Sequence, residues 1–385
     1  MKQRVKWIDT VKTVGIFLVF YGHYIEVIGN DYHSASGFAQ FKFIYSFHIP
    51  LFFILAGFFF KESDNKLNRI ANLFYQRLIP ALVFGFFLIP FWLLYNKAKF
   101  HAFLIESIAN KSFYYLGGDT QLNVITWFLV CLFTTEVLAT LIGFKSANKS
   151  QNAFLGLFFI ILGFFVTKYA PFLTPYTKLE TNFWYIHESL VALGFYLLGN
   201  WLYYFISTLE FEKSKLLYFL IPATIALLEL SNLIFNSQEV VIMSISKHGS
   251  LAPFLINSLA GTLLIIGIGR LFPPNKITAF LGANTLILLG LNGFFFHFVN
   301  RQVVKMTLFN KSAAYVTLNC LVVTILSLAL CYPIVYLFNK YLPQLFGKPF
   351  TDGPLLKPLN QYVRFARQAS PAYQLDGLDN QAERK

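Results

Sequence analysis

Charge is scarce in this chain. Asp, Glu, Lys and Arg make up 13% of its 385 residues, about half the share in a soluble globular protein. That scarcity excludes an ordinary soluble domain. Cysteine is nearly absent too. Cys131, Cys320 and Cys331 all lie in apolar runs, as small buried hydrophobes do, and form neither a disulfide framework nor a metal-ligand spacing. There is no glycine loop for cradling phosphate, no zinc-ligand spacing and no nucleic-acid motif. The net charge of +13 is spread over loops and tail. It suits anionic lipid headgroups rather than nucleic acid.

What is abundant is apolar surface. Hydrophobic residues make up 56% of the chain, aromatics 19%, and Phe alone occurs 46 times. Runs long enough to cross a bilayer fall at 7–29, 43–60, 75–95, 122–144, 153–171, 184–208, 216–235, 250–272, 277–300 and 313–342. The pattern predicts an all-α, multi-pass membrane bundle of about ten helices over residues 1–342. No internal repeat of 20–50 residues stands out. The first run is read as a span and not a cleaved leader, since it is long and lacks a small-residue cleavage site. Residues 343–385 are polar and aperiodic, and are expected to form a flexible cytoplasmic tail. With the N-terminus inside, cytoplasmic segments hold 20 Lys and Arg and external ones 10. That bias predicts both termini in the cytoplasm. The longest external loop, about 96–121, is expected to help cover an external site.

The first run carries ionisable groups where they are costly: Asp9, Lys12 and His23. Such residues in a span are candidate functional groups. Lys12 and His23 are eleven positions apart, about three helical turns, so they share a face and stand roughly 16 Å apart along the axis. One lies toward each membrane surface, which points to chemistry reaching across the bilayer.

Several stretches together resemble membrane-bound acyltransferase family 3. The opening Asp9, Lys12 and Gly22-His23 is similar to the family's first span. Phe47-His48-Ile49-Pro50-Leu51-Phe52-Phe53-Ile54-Leu55-Ala56-Gly57 resembles its Phe-His-Met-Pro-Leu-Phe-Phe-x-Leu-Ser-Gly stretch, with Ala56 in place of Ser. Arg77-Leu78-Ile79-Pro80 matches the basic start of the third span. Trp127-Phe128-Leu129 through Glu136 resembles the fucose 4-O-acetylase-like branch. Phe195-Tyr196-Leu197-Leu198-Gly199 and Leu281-Gly282-Ala283-Asn284-Thr285-Leu286 resemble later landmarks. Lys12 stands where many members have Arg, and Asn292 where many have His.

The resemblance implies an O-acyltransferase of the bacterial inner membrane. It would have no bound cofactor, with acetyl-coenzyme A as acyl donor and a hydroxyl of a lipid-linked or polymeric carbohydrate as acceptor. Histidine is the usual general base near neutral pH, which makes His23 the candidate base. Glu26, three residues on, is the candidate for orienting the imidazole. Lys12, Arg69 and Arg77 on the cytoplasmic side are candidates for holding donor phosphates. Asp9 is expected to cap the span or neutralise Lys12. His48, Trp127, Asn284, Asn292 and His297 are candidates for the pore or acceptor site. Two other readings fit a multi-pass chain with an intramembrane Lys and His. One is a transporter of a polar or lipid-linked substrate. The other is a non-catalytic membrane protein that keeps the fold.

Overall fold

The computed structural model describes residues 5–60, 62–177, 183–208, 223–225, 227–228, 240–272 and 274–359. Among these, eight helices are long and apolar enough to cross a membrane, or nine if a bent pair counts as one span. The chain is a multi-pass all-α membrane protein. The predicted seventh span, 216–235, lies almost wholly outside the described residues.

α1 (Lys6–Asn30) runs through the bundle with most of its residues buried. The second span begins at Ala35, well before the predicted 43. Ser34 caps α2 (Ala35–Tyr45) by accepting from the Gly37 amide. Gln40 and Lys42 hide that half of the span from an apolar count. A break at Ser46–Phe47 leads into α3 (His48–Phe58). The third span is also longer than predicted. It passes through α4 (Lys66–Leu73), a π turn at Phe74–Leu78, α5 (Ile79–Phe87) and α6 (Ile89–Phe100). Pro80 and Pro90 explain its irregularity, because each lacks an amide donor and forces the preceding turn to adjust.

The next segment folds α7 (Ile105–Leu116) against this span. The Tyr115 hydroxyl donates to the Ala81 carbonyl at 2.6 Å, and Trp92 donates to the Leu122 carbonyl. α8 (Trp127–Ile142), α9 (Lys149–Thr177) and α10 (Ile186–Thr208) follow. α10 is the hub that packs on α3, α8 and α9. It meets α3 backbone to backbone: a Cβ on Gly57 would overlap the Tyr196 carbonyl, and one on Gly199 the Ile54 carbonyl.

The last part holds α11 (Leu251–Leu271), α12 (Lys276–Ala283), α13 (Thr285–Phe294), a π turn at Phe295–Val299, α14 (Asn300–Thr307) and α15 (Ala313–Tyr341). The predicted ninth span is not one straight helix. It bends by 74° between α12 and the run that starts at Thr285. Asn284 sits at the bend, donating to the Phe280 carbonyl and accepting from Asn339 of α15. Thr10 and Thr13 of α1 donate to the carbonyls of Phe272 and Thr278, tying α1 to this broken segment.

The expected flexible tail is packed at its start. Gln344 is buried and donates to the carbonyls of Thr351 and Leu356, and Phe346 stacks on Phe338 with ring centroids 4.1 Å apart. Those buried aromatic and amide contacts hold 343–359 against α15. Residues 360–385 lie outside the described residues.

Candidate active site

Two cavities open beside the same face of α1, one near each end. The first has a volume of 160 Å³ and is lined by Lys12, Ile16, Ile49, Phe52, Ala56, Arg77, Phe128 and Thr285, among others. The second measures 70 Å³ and is lined by His23, Glu26, Tyr45, His48, Ile49, Trp127 and residues 241–244, among others. Ile49 borders both. The helical spacing that placed Lys12 and His23 on one face therefore puts one residue in each chamber, with an apolar partition between them.

In the second chamber His23 is buried, and its Nδ1 lies 2.5 Å from Asn292 Oδ1. An amide oxygen only accepts, so Nδ1 carries the proton. Nε2 is then the unprotonated nitrogen and has no hydrogen-bond partner among the described residues. The ring is packed edge-on against Phe296 and Tyr45, with centroids 5.3 and 6.2 Å away. Asn300 donates to the His23 carbonyl.

Glu26 was expected to orient this imidazole. It lines the same chamber but accepts from the Tyr45 hydroxyl at 2.7 Å. Residues three apart diverge by about 60° around a helix, and Asn292 arrives from α13 on the side that Glu26 misses. His48 donates through Nδ1 to the Ile44 carbonyl at 2.9 Å, and its ring lies 4.6 Å from Tyr45. Trp127 is buried against Tyr185 and lines the chamber.

In the first chamber Arg77 donates from Nε to Glu136 Oε2 at 2.8 Å and from Nη2 to Oε1 at 3.3 Å. Arg69 reaches the same carboxylate at 3.7 Å but does not line the chamber. Arg69 Nε is buried with no partner among the described residues. Two arginines share one carboxylate and Lys12 lines the chamber nearby, so the cluster stays formally cationic. The Lys12 ammonium lies 5.0 Å from the Phe59 ring centroid. Ala56, the departure from the family Ser, also lines this chamber. Outside the span, Ser146 donates twice to Glu62 and holds its carboxyl below the usual carboxylate range, joining the two loops beside this end.

Besides Arg69 and Asn292, which bond to residues that do, three expected site residues line neither chamber. Asp9 lies inside the first turn of α1, not at its cap, which is Val5, and it packs on Gly282 of α12. Asn284 is held at the helix bend. His297 accepts from the Val124 amide at 3.2 Å and packs on Trp92, because the π turn directs it away from His23.

Tyr45 and the 240–248 hairpin are not visible in the sequence, and Glu136 stands there only as the end of a motif, with no site role. Tyr45 reads as one more aromatic, although its position three before His48 was a signal. Glu136, a lone carboxylate in an apolar run, was the clearer one.

Comparison with known families adds one finding. A family model described as an acyltransferase domain, of acyltransferase family 3, matches residues 5–339. Neither the curated proteins nor the solved structures include a match to this chain. The match spans nearly the whole bundle and both chambers, so the chain belongs to membrane acyltransferase family 3 and is an enzyme that transfers acyl groups.

Proposed function

We propose that the protein moves an acetyl group from cytoplasmic acetyl-coenzyme A to a hydroxyl of a cell-surface or exported carbohydrate. The observation that carries this reading is the pair of chambers on one face of α1, cationic at one end and histidine-lined at the other, with Ile49 lining both. The bias of Lys and Arg supports placing the Lys12 end and both termini in the cytoplasm, in a bacterial inner membrane. The resemblance of the Trp127 segment to the fucose 4-O-acetylase-like branch supports a sugar hydroxyl as acceptor.

Lys12 and Arg77 meet the donor phosphates as charge-assisted hydrogen-bond donors. The donor's flexible arm passes Ile49, Phe52 and Phe128, and the thioester reaches the His23 chamber. His23 Nε2 takes the proton from the acceptor hydroxyl as its oxygen bonds to the acyl carbon. The carbon–sulfur bond breaks, and the proton is returned to the departing sulfur as the thiol. Asn292 fixes the tautomer that leaves Nε2 able to accept.

Purified protein in lipid vesicles, given labelled acetyl-coenzyme A and extracted surface glycan, tests this. Transfer is expected in the wild type, with a loss of about a hundredfold or more in His23→Ala. A His23→Ala variant as active as the wild type, or no transfer to any glycan, would overturn the proposal.

A further inference from the structure

Glu26 does not orient the His23 ring, which leaves a carboxylate in the His23 chamber without a task. Its Oε2 accepts from the Tyr45 hydroxyl at 2.7 Å. Its Oε1 has no hydrogen-bond partner, and Glu26 forms no ion pair, among the described residues. Glu26 is half-buried. A carboxylate kept for structure alone is normally bonded more fully, because an unmet acceptor away from bulk water is costly.

His23 Nε2 is the second acceptor in the chamber without a partner. Neither atom is sealed inside the protein, and both side chains line the same 70 Å³ space. Residues three apart on a helix have Cβ atoms about 5–6 Å apart. The Glu26 carboxylate is also held in place. Tyr45, which donates to it, is buried, with its ring centroid 4.2 Å from Phe41 and 4.6 Å from His48.

Two acceptors side by side call for a ligand with two neighbouring donors, since an ionised carboxylate can only accept. Adjacent hydroxyls on a sugar ring supply such a pair. A water-sized group needs roughly 10–15 Å³ of this kind of space. The chamber's 70 Å³ therefore admits a ring edge that carries two hydroxyls.

We infer that Glu26 is the specificity-determining residue for the acceptor. Its Oε1 accepts from the hydroxyl beside the one that His23 deprotonates, so the preferred acceptor carries a vicinal diol. Tyr45 is a positioning residue that acts through Glu26. That the ligand is a carbohydrate rests on the proposed function. The two open acceptors do not.

The test is equilibrium binding without acyl donor, so that no turnover intervenes. Oligosaccharide released from the surface glycan is titrated into the full chain in detergent and followed by calorimetry. A second probe is the same material after mild periodate oxidation and borohydride reduction. Periodate cleaves vicinal diols and spares isolated hydroxyls. On the intact probe, Glu26→Ala should raise Kd by about tenfold to a hundredfold, the effect of losing one charged hydrogen bond. Glu26→Gln keeps an acceptor oxygen without the charge and should fall between the wild type and Ala. It decides the matter if the Ala variant does not fold. Tyr45→Phe should weaken binding in the same direction, and adding it to Glu26→Ala should cost little more. The wild type should bind the oxidised probe as weakly as Glu26→Ala binds the intact one, with no further loss in Glu26→Ala. Unchanged Kd in the Glu26 variants, additive losses on the oxidised probe, or no binding by the wild type would overturn the inference.

Transfer assayed on the same preparations separates the two readings. A wild type that binds the glycan but never transfers to it defeats the proposed function and leaves the diol site standing. Transfer that depends on His23, with a Kd indifferent to Glu26, defeats the diol site alone.

Discussion

His23 Nδ1 and Asn292 Oδ1 lie 2.5 Å apart across 269 positions of sequence. This contact joins the first span to the helix beyond the Asn284 bend and sets which imidazole nitrogen is free to accept a proton. Asn292 takes the place that a carboxylate holds in a Ser-His-Asp triad, orienting the ring from behind.

Asn292→Ala should therefore lower the rate of transfer by about ten- to a hundredfold, comparable to losing a partner that fixes a histidine. Asn292→Asp keeps an acceptor opposite Nδ1 and should retain much more of the activity. Single-turnover acetyl transfer at saturating donor separates the two. Equal loss in both would show that the contact does not orient the base.

Lys12 is expected to act on donor binding. Lys12→Met should raise the KM for acetyl-coenzyme A by about tenfold to a hundredfold, from the loss of a charged hydrogen bond worth roughly 1.5–3 kcal/mol. Lys12→Arg should stay close to the wild type, because charge and reach survive. A transporter that uses Lys12 by titration would suffer equally from both, since arginine does not readily give up its proton. Steady-state kinetics with varied donor distinguishes the outcomes.

Glu136 holds Arg77 and Arg69 together. Glu136→Ala leaves two guanidiniums without their carboxylate, and breaking a buried pair in this way costs about 3–5 kcal/mol. Thermal unfolding in detergent should show a clear drop in midpoint, and the donor KM should rise as Arg77 loses its position. A variant as stable as the wild type would contradict the role given to this carboxylate.

The proposed orientation rests on the loop charges. Ser63→Cys and Leu375→Cys, in a chain without the native cysteines, should resist an impermeant thiol reagent in intact cells and label after permeabilisation. Ready labelling of either in intact cells would reverse the placing of the donor chamber.

Much of this was legible in the sequence because it is local. The α1 face shared by Lys12 and His23 follows from helical periodicity, and each residue lines the chamber that its depth implies. Arg77, His48 and Trp127 also line chambers. The misses are non-local. Asn284 looks like one polar residue in an apolar run, and the bend there depends on Asn339 in another helix. Glu26 was paired with its nearest histidine, but its partner is Tyr45, brought close by the turn between α1 and α2. The hairpin at 240–248 has no apolar period, so nothing in the sequence placed it over His23.

The most direct test of the central claim, one path across the membrane through two chambers, is the sidedness of transfer. In vesicles with uniformly oriented protein, acetyl-coenzyme A is supplied only on the Lys12 side and a glycan acceptor only on the His23 side. The account predicts acetyl esters on the glycan under this arrangement and none when the two substrates are exchanged. Transfer only when donor and acceptor share one side would contradict it.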